Sequence, residues 1–135
     1  MIQNEGAGLL IHGTREWRNY RFSATCTPHL ARAFGIAARV QGLERYYVLR
    51  LVQGNELQLV RRLDGETVLA RAPYTWELYQ PYHLALELEG QTIRGLINGE
   101  ELLEVVEDDS LDGGAIALWL EEGRVRFEKV MVRPL

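Results

Sequence analysis

Arg39, Tyr46, Arg50, Gln58, Arg62 and Trp119 are the side chains whose types and spacing could hold a polar ligand. Planar guanidinium groups present several fixed donors to hydroxyl, carboxylate or phosphate oxygens, and an indole presents a flat apolar surface to the axial hydrogens of a sugar ring. Two of them follow small residues on one side of an alternating segment: Gly35 and Ala37 lead to Arg39, and Ala115 and Ala117 lead to Trp119. This predicts a shallow groove lined by the six side chains, suited to a sugar-containing ligand. The alternative is that Trp119 caps the packed layers while the arginines form surface ion pairs with the numerous glutamates.

Other chemistries find less support. His12, His29 and His83 share no metal-ligand spacing with one another or with carboxylates, so no metal site is expected. The acidic run Glu104 to Asp112 could offer oxygen ligands to calcium, but it lacks the EF-hand pattern and reads first as a solvated turn; no other cofactor is expected. Ser23 and Ser110 lie in no nucleophile-elbow motif, and Cys26 falls on the apolar side of its segment. Gly113-Gly114 precedes a strand rather than a helix, so it is not a phosphate loop. No catalytic residues are assigned, because no pair of carboxylates projects from adjacent strands into the expected groove. Trp76 with Tyr74, Tyr79 and Tyr82 reads as an anchor for a long connection, with a loop-borne aromatic platform as the alternative.

The elements that must position these residues are strands. Alternation at period two recurs along the chain, broken about every ten residues by glycine-bearing turns. Tyr20, Phe22, Ala24 and Cys26 alternate with Arg21, Ser23, Thr25 and Thr27 in a strand expected to end at Pro28. Segments 34–40 and 45–52, joined through Gln41 to Glu44, place Phe34, Ile36 and Ala38 across from Leu51, Leu49 and Tyr47. Gly35, Ala37 and Arg39 then face Arg50, Val48 and Tyr46 on the other side. Gln53-Gly54-Asn55 turns the chain so that Gln58 and Arg62 join that polar side, and Asp64-Gly65 makes the next turn. Tyr82 to Glu89 alternates strictly, and Asn98-Gly99 signals a two-residue type I′ hairpin. Segments 114–120 and 124–132 are expected as the last two strands, closed by a Glu121-Glu122-Gly123 turn. About eleven short strands without a crossover helix call for antiparallel sheets stacked in two layers.

A chain of 135 residues sits at the size of one domain, and residues 1-135 are read as a single β-sandwich domain. Hydrophobic residues form 47% and charged residues 25%, which excludes disordered and collagen-like classes. No apolar run approaches the about 20 residues of a membrane-spanning helix, so no membrane partner is expected. Net charge is −4 with Arg dispersed along the chain, which argues against a nucleic-acid partner. A single cysteine permits no internal disulfide. Met1 to Ile11 does not read as a secretory signal peptide; excision from a larger protein is expected, and localisation stays open.

From Trp17 onward the order of signals resembles the concanavalin A-like, laminin G-like jelly-roll domains, including the bacterial keto-disaccharide hydrolase type. The resemblance rests on Trp17-Arg18-Asn19-Tyr20, Phe34 to Arg39, Tyr46 to Leu51, Ile97-Asn98-Gly99-Glu100, Gly113 to Leu118 and Phe127 to Val132. It implies an all-β, two-sheet antiparallel sandwich whose concave sheet holds carbohydrate. It is also similar to accessory domains of bacterial glycohydrolases, including those beside ADP-ribosylglycohydrolases, which implies a neighbouring catalytic domain as partner. The expectation is therefore a non-catalytic carbohydrate-binding or substrate-targeting module. A glycosidic-bond hydrolase or a structural domain forming a homodimer are the rivals.

Overall fold

The computed structural model describes residues 2–12 through their strand pairing, and residues 18–107, 111 and 113–135 in full. The elements are β1 (Ile2–His12), β2 (Tyr20–Gly42), β3 (Arg45–Val52), β4 (Glu56–Leu63), β5 (Glu66–Pro73), β6 (Tyr82–Glu89), β7 (Thr92–Ile97), β8 (Glu100–Val106) and β9 (Ala115–Pro134). Every strand pairing among the described residues is antiparallel.

Two very long strands generate both layers. The first half of β2 pairs with β6, from Tyr20↔Leu88 to Cys26↔Tyr82, whereas its second half pairs with β3, from Ala33↔Val52 to Ala38↔Tyr47. Along its other edge β2 pairs with β9 throughout. One layer therefore runs β1, β9, β2, β3, β4, β5, and the other runs β9, β2, β6, β7, β8.

The expected end at Pro28 and the expected turn at Glu121 to Gly123 are the same structural event, a shared bend rather than two strand ends. Pro28 sits beside a register shift between Pro28 and Leu30, where a missing N–H is tolerated. Opposite it, Gly123 adopts φ +128 while pairing with Ala31, and a Cβ there would strike the Leu30 carbonyl oxygen. Only glycine fits that combination of left-handed backbone and close approach. The eleven segments expected from sequence thus become nine longer strands among the described residues.

Alternate residues of both layers meet in one interior. Phe34, Ile36, Tyr47, Leu49, Leu51, Leu57, Leu59, Ile116 and Leu120 face Tyr20, Phe22, Cys26, Leu84, Leu86, Leu88, Ile93 and Ile97, and all are buried. At about 25 cal/mol per Å² of apolar surface removed from water, this interior supplies the main force holding the layers together. The Cys26 thiol lies within it, fully buried, with its pKa pushed up by desolvation. The hairpins follow their turn residues: Asn98 (φ 52) and Gly99 (φ 83) take the left-handed pair that type I′ demands, closing Ile97 onto Glu100.

Candidate functional site

The outer face of the six-stranded layer carries a second apolar cluster, separate from the interior. Ala33, Ala37, Val40, Tyr46, Val48, Val60, Ala115, Ala117 and Trp119 form it. The expected register holds from Phe34↔Leu51 to Ala38↔Tyr47, so Gly35 and Ala37 do share this face with Arg50 and Val48. It also places Trp119 directly across from Gly35 and Ala117 across from Ala37.

Arg39, expected on this face from the alternation, does not lie on it. The pairing breaks after Ala38 and resumes at Gly42↔Arg45, and Arg39 takes φ 49. The loop expected over Gln41 to Glu44 is therefore a bulge followed by a tight turn at Leu43-Glu44. A bulge changes which side the following residue points to, so Val40 takes the place on the outer cluster. Arg39 is buried at the end of the sandwich, donating to the carbonyl oxygens of Leu111 (3.0 Å) and Arg18 (2.8 Å). Its own N–H donates to the Tyr20 hydroxyl at 2.7 Å. This guanidinium ties loops together.

Trp119 lies on the expected face but is fully buried rather than open. The Arg50 guanidinium sits 5.2 Å from its ring centroid, and its indole N–H donates to the Tyr46 hydroxyl at 3.3 Å. Tyr46 is buried too, which pushes its phenol pKa up. Gly35 does not leave room for a ligand: a Cβ there would land on the Leu49 carbonyl oxygen and 2.8 Å from Arg50 Cα. Its smallness serves the close approach of β2 to β3.

The polar half of the face lies on β3, β4 and β5. Arg50 holds Glu66 through two parallel hydrogen bonds of 3.1 Å and donates from Nε to the Gln58 carbonyl oxygen at 3.0 Å. Gln58 donates to Glu56 at 2.7 Å, while Arg62 donates to Glu44 (2.7 Å) and Glu66 (3.2 Å). Five of the six expected residues therefore form one connected surface, with Trp119 and Tyr46 as its floor. Glu44, Glu56 and Glu66 are additions that the sequence reading did not assign to the site.

Glu66 reaches this face because the turn at Asp64-Gly65 pairs it with Arg62; a second bulge, between Leu59 and Val60, shifts the register only beyond Val68. Its signal in the sequence is position: it directly follows Asp64-Gly65 and lies four residues beyond Arg62. Hydrogen bonding to Arg50 holds its carboxyl below the usual carboxylate range, with the charges of Arg50 and Arg62 adding to the effect. Because the folded-state pKa is depressed, the stabilisation is present above the ordinary carboxylate pKa and is lost as pH falls through the lowered one. We expect Glu66→Gln to flatten the acid limb of the stability curve as pH falls below the ordinary carboxylate range, read by urea denaturation at a series of pH values.

The remaining candidates have structural partners. Trp76 anchors its connection, donating its indole N–H to the Val52 carbonyl oxygen at 2.8 Å and meeting Phe34 edge to face. Tyr74 meets Tyr82 edge to face, whereas Tyr79 is exposed and tilts against His29. Trp76→Phe should cost about 1 kcal/mol for the lost hydrogen bond, measured by chemical denaturation. Among the described residues no three His, Cys, Asp or Glu side chains are grouped to hold a metal ion. Of the acidic run, Asp108, Asp109, Ser110 and Asp112 lie outside the described residues. Glu107 is engaged, accepting from the Tyr47 hydroxyl at 2.6 Å and pairing with Arg61. No helix is long and apolar enough to cross a membrane among the described residues.

No protein-family model matches the chain, and no curated protein does. Solved structures do match. The carbohydrate binding module CBM66 from Bacillus subtilis superposes with a TM-score of 0.88 at 14% identity, over 97% of this chain and 84% of that one. The fold is a jelly-roll, lectin-like sandwich. Galectin LEC-6 of Caenorhabditis elegans superposes on the same jelly roll with a TM-score of 0.70 at 15% identity, covering 98% and 94%. A mutant of the GH43 protein BlXynB from Bacillus licheniformis gives 0.67 at 12% identity, over 87% of this chain and 28% of that one. The jelly roll is thus shared at identities where only the fold carries over.

Proposed function

We propose that this jelly roll is a carbohydrate-binding module whose sugar lies on the β3 to β5 half of the outer face, against Arg50, Gln58, Arg62 and Glu66. The single observation that carries this reading is the Arg50-centred network. One guanidinium stacks on a tryptophan, forks onto a carboxylate and reaches an amide, so its donors are fixed before any ligand arrives. Rigid donors and acceptors beside an apolar floor suit a ring that carries hydroxyls on its rim and C–H bonds on its faces. Tyr46 and Trp119 support the contact from beneath, and Arg39 takes no part in it.

Binding is favoured over hydrolysis by the state of Glu66. A glycosidase needs one carboxyl that keeps its proton near neutral pH, and the Arg50 contact drives Glu66 the opposite way. The likeness to CBM66 and to a galectin supports a sugar ligand, and the 28% coverage of the GH43 protein supports a role as one module beside a catalytic domain. A glycan array followed by calorimetric titration tests this. The expected result is selective binding that falls at least tenfold in Arg50→Gln and in the more exposed Arg62→Ala. Equal affinity in both variants, with the fold intact by circular dichroism, would overturn it.

A further inference from the structure

The outer face of the five-stranded layer, on the opposite side of the molecule, carries a cleft of about 190 Å³ lined by Arg21, Ser23, His83, Met131 and Arg133. Its shape follows from the register. Met131 pairs with Ser23 and Ser23 with Ala85, so a row of small side chains on β2 and β6 lies beneath Met131. One flank of that row is the cross-strand line Arg133, Arg21, Glu87, Arg94, and the other is the pair Thr25 and His83. The cleft exceeds tenfold the about 15 Å³ that one water needs.

Charge along that line is unbalanced at one end. Arg21 is paired with Glu87 at 2.7 Å, and Arg94 with Glu104 at 3.2 Å. Arg133 lies directly opposite Arg21, an arrangement of like charges that disfavours the strand pair unless an anion intervenes. Among the described residues no carboxylate pairs with Arg133. On the opposite flank the Thr25 hydroxyl and His83 Nδ1 are hydrogen-bonded at 2.9 Å, fixing the imidazole at the cleft wall.

We propose that this cleft is a second ligand site, one that takes a compact oxyanion (a carboxylate, sulfate or phosphate group) between Arg133, Arg21 and His83. The guanidinium of Arg133 supplies two parallel donors, Arg21 shares its charge between Glu87 and the anion, and buried Ser23 offers a hydroxyl at the floor. The imidazole gains on binding: its pKa is lowered by desolvation and then by the nearby charges of Arg21 and Lys129. A bound anion offsets those charges and raises it. The carboxylates of Glu87 on β6 and Glu128 on β9 are engaged with Arg21 and Arg126.

The test is a side-chain NMR titration of the whole chain with inorganic phosphate, sulfate, acetate and glucuronate at constant ionic strength. The expected result is a saturable shift of the Arg133 Nε–H and the His83 ring with millimolar affinity. Arg133→Gln should weaken binding at least tenfold, whereas Arg126→Gln on the same strand should change it less than twofold. Arg133 is exposed near the end of β9, so its replacement leaves the fold intact. Tighter binding of glucuronate than acetate identifies a charged sugar as the source, and the reverse order identifies a free oxyanion. Shifts that are linear in concentration, or unchanged in Arg133→Gln, would overturn the proposal. Arg50→Gln leaves this site untouched, so its failure and that of the sugar face are distinguishable.

Discussion

Replacing Glu107 by alanine is expected to destabilise the chain by about 3 kcal/mol, lowering the melting temperature by roughly 10 °C. Glu107 follows β8 in the five-stranded layer, yet its carboxylate accepts from Tyr47 on β3 and pairs with Arg61 on β4. Its own N–H donates to the Gln91 carbonyl oxygen at 2.9 Å, and the Tyr47 hydroxyl accepts from the Leu111 N–H at 3.0 Å. One buried carboxylate thus clamps one layer to the other and holds the return toward β9. Alanine would leave a phenol without an acceptor and a half-buried guanidinium without its counter-charge, and the cost of those orphaned groups exceeds the net worth of the bonds themselves. Glu107→Gln keeps a carbonyl acceptor and should lose less. Urea denaturation of the two variants beside the parent measures both.

Gly35→Ala should cost a comparable about 3 kcal/mol, through overpacking rather than through a lost bond. The added Cβ meets backbone atoms of Leu49 and Arg50, which cannot rotate away as a side chain would. Strand β2 must then draw back from β3 at the point where Trp119, Gly35 and Arg50 lie side by side. The expected consequence is double. Stability falls, and so does affinity for the sugar, because Arg50 loses its seat over the indole. Chemical denaturation with a parallel binding titration reads the two effects; a stable Gly35→Ala with parental affinity would show that β2 and β3 approach less closely.

Where local rules sufficed, the chain was readable. The alternation of Tyr20, Phe22, Ala24 and Cys26, the register of Phe34 against Leu51, and the Asn98-Gly99 turn depend on side-chain period and turn chemistry alone. Arg39 and Glu66 were misassigned or missed because the facing of each is set where the pairing is irregular: Arg39 by the break after Ala38, and Glu66 by the turn that brings it opposite Arg62, neither of which alters the hydrophobic pattern. Pro28 and Gly123 looked like strand ends because a bend within a strand uses the same residues as a stop. Whether β2 continues past Pro28 is decided by β9, a hundred residues away in sequence. The exposure of Trp119 was equally non-local, since its cover is the Arg50 side chain from another strand.

The three tryptophan indole N–H signals give the most direct test of the sugar face. Trp119 lies under Arg50 and Trp76 lies against Val52 and Phe34, so a bound ring on the β3 to β5 half should perturb one and spare the other. In a heteronuclear NMR titration with the tightest glycan from an array, the Trp119 indole signal is predicted to move saturably while that of Trp76 stays fixed. Movement of Trp76 with a stationary Trp119 would contradict the placement of carbohydrate on this face.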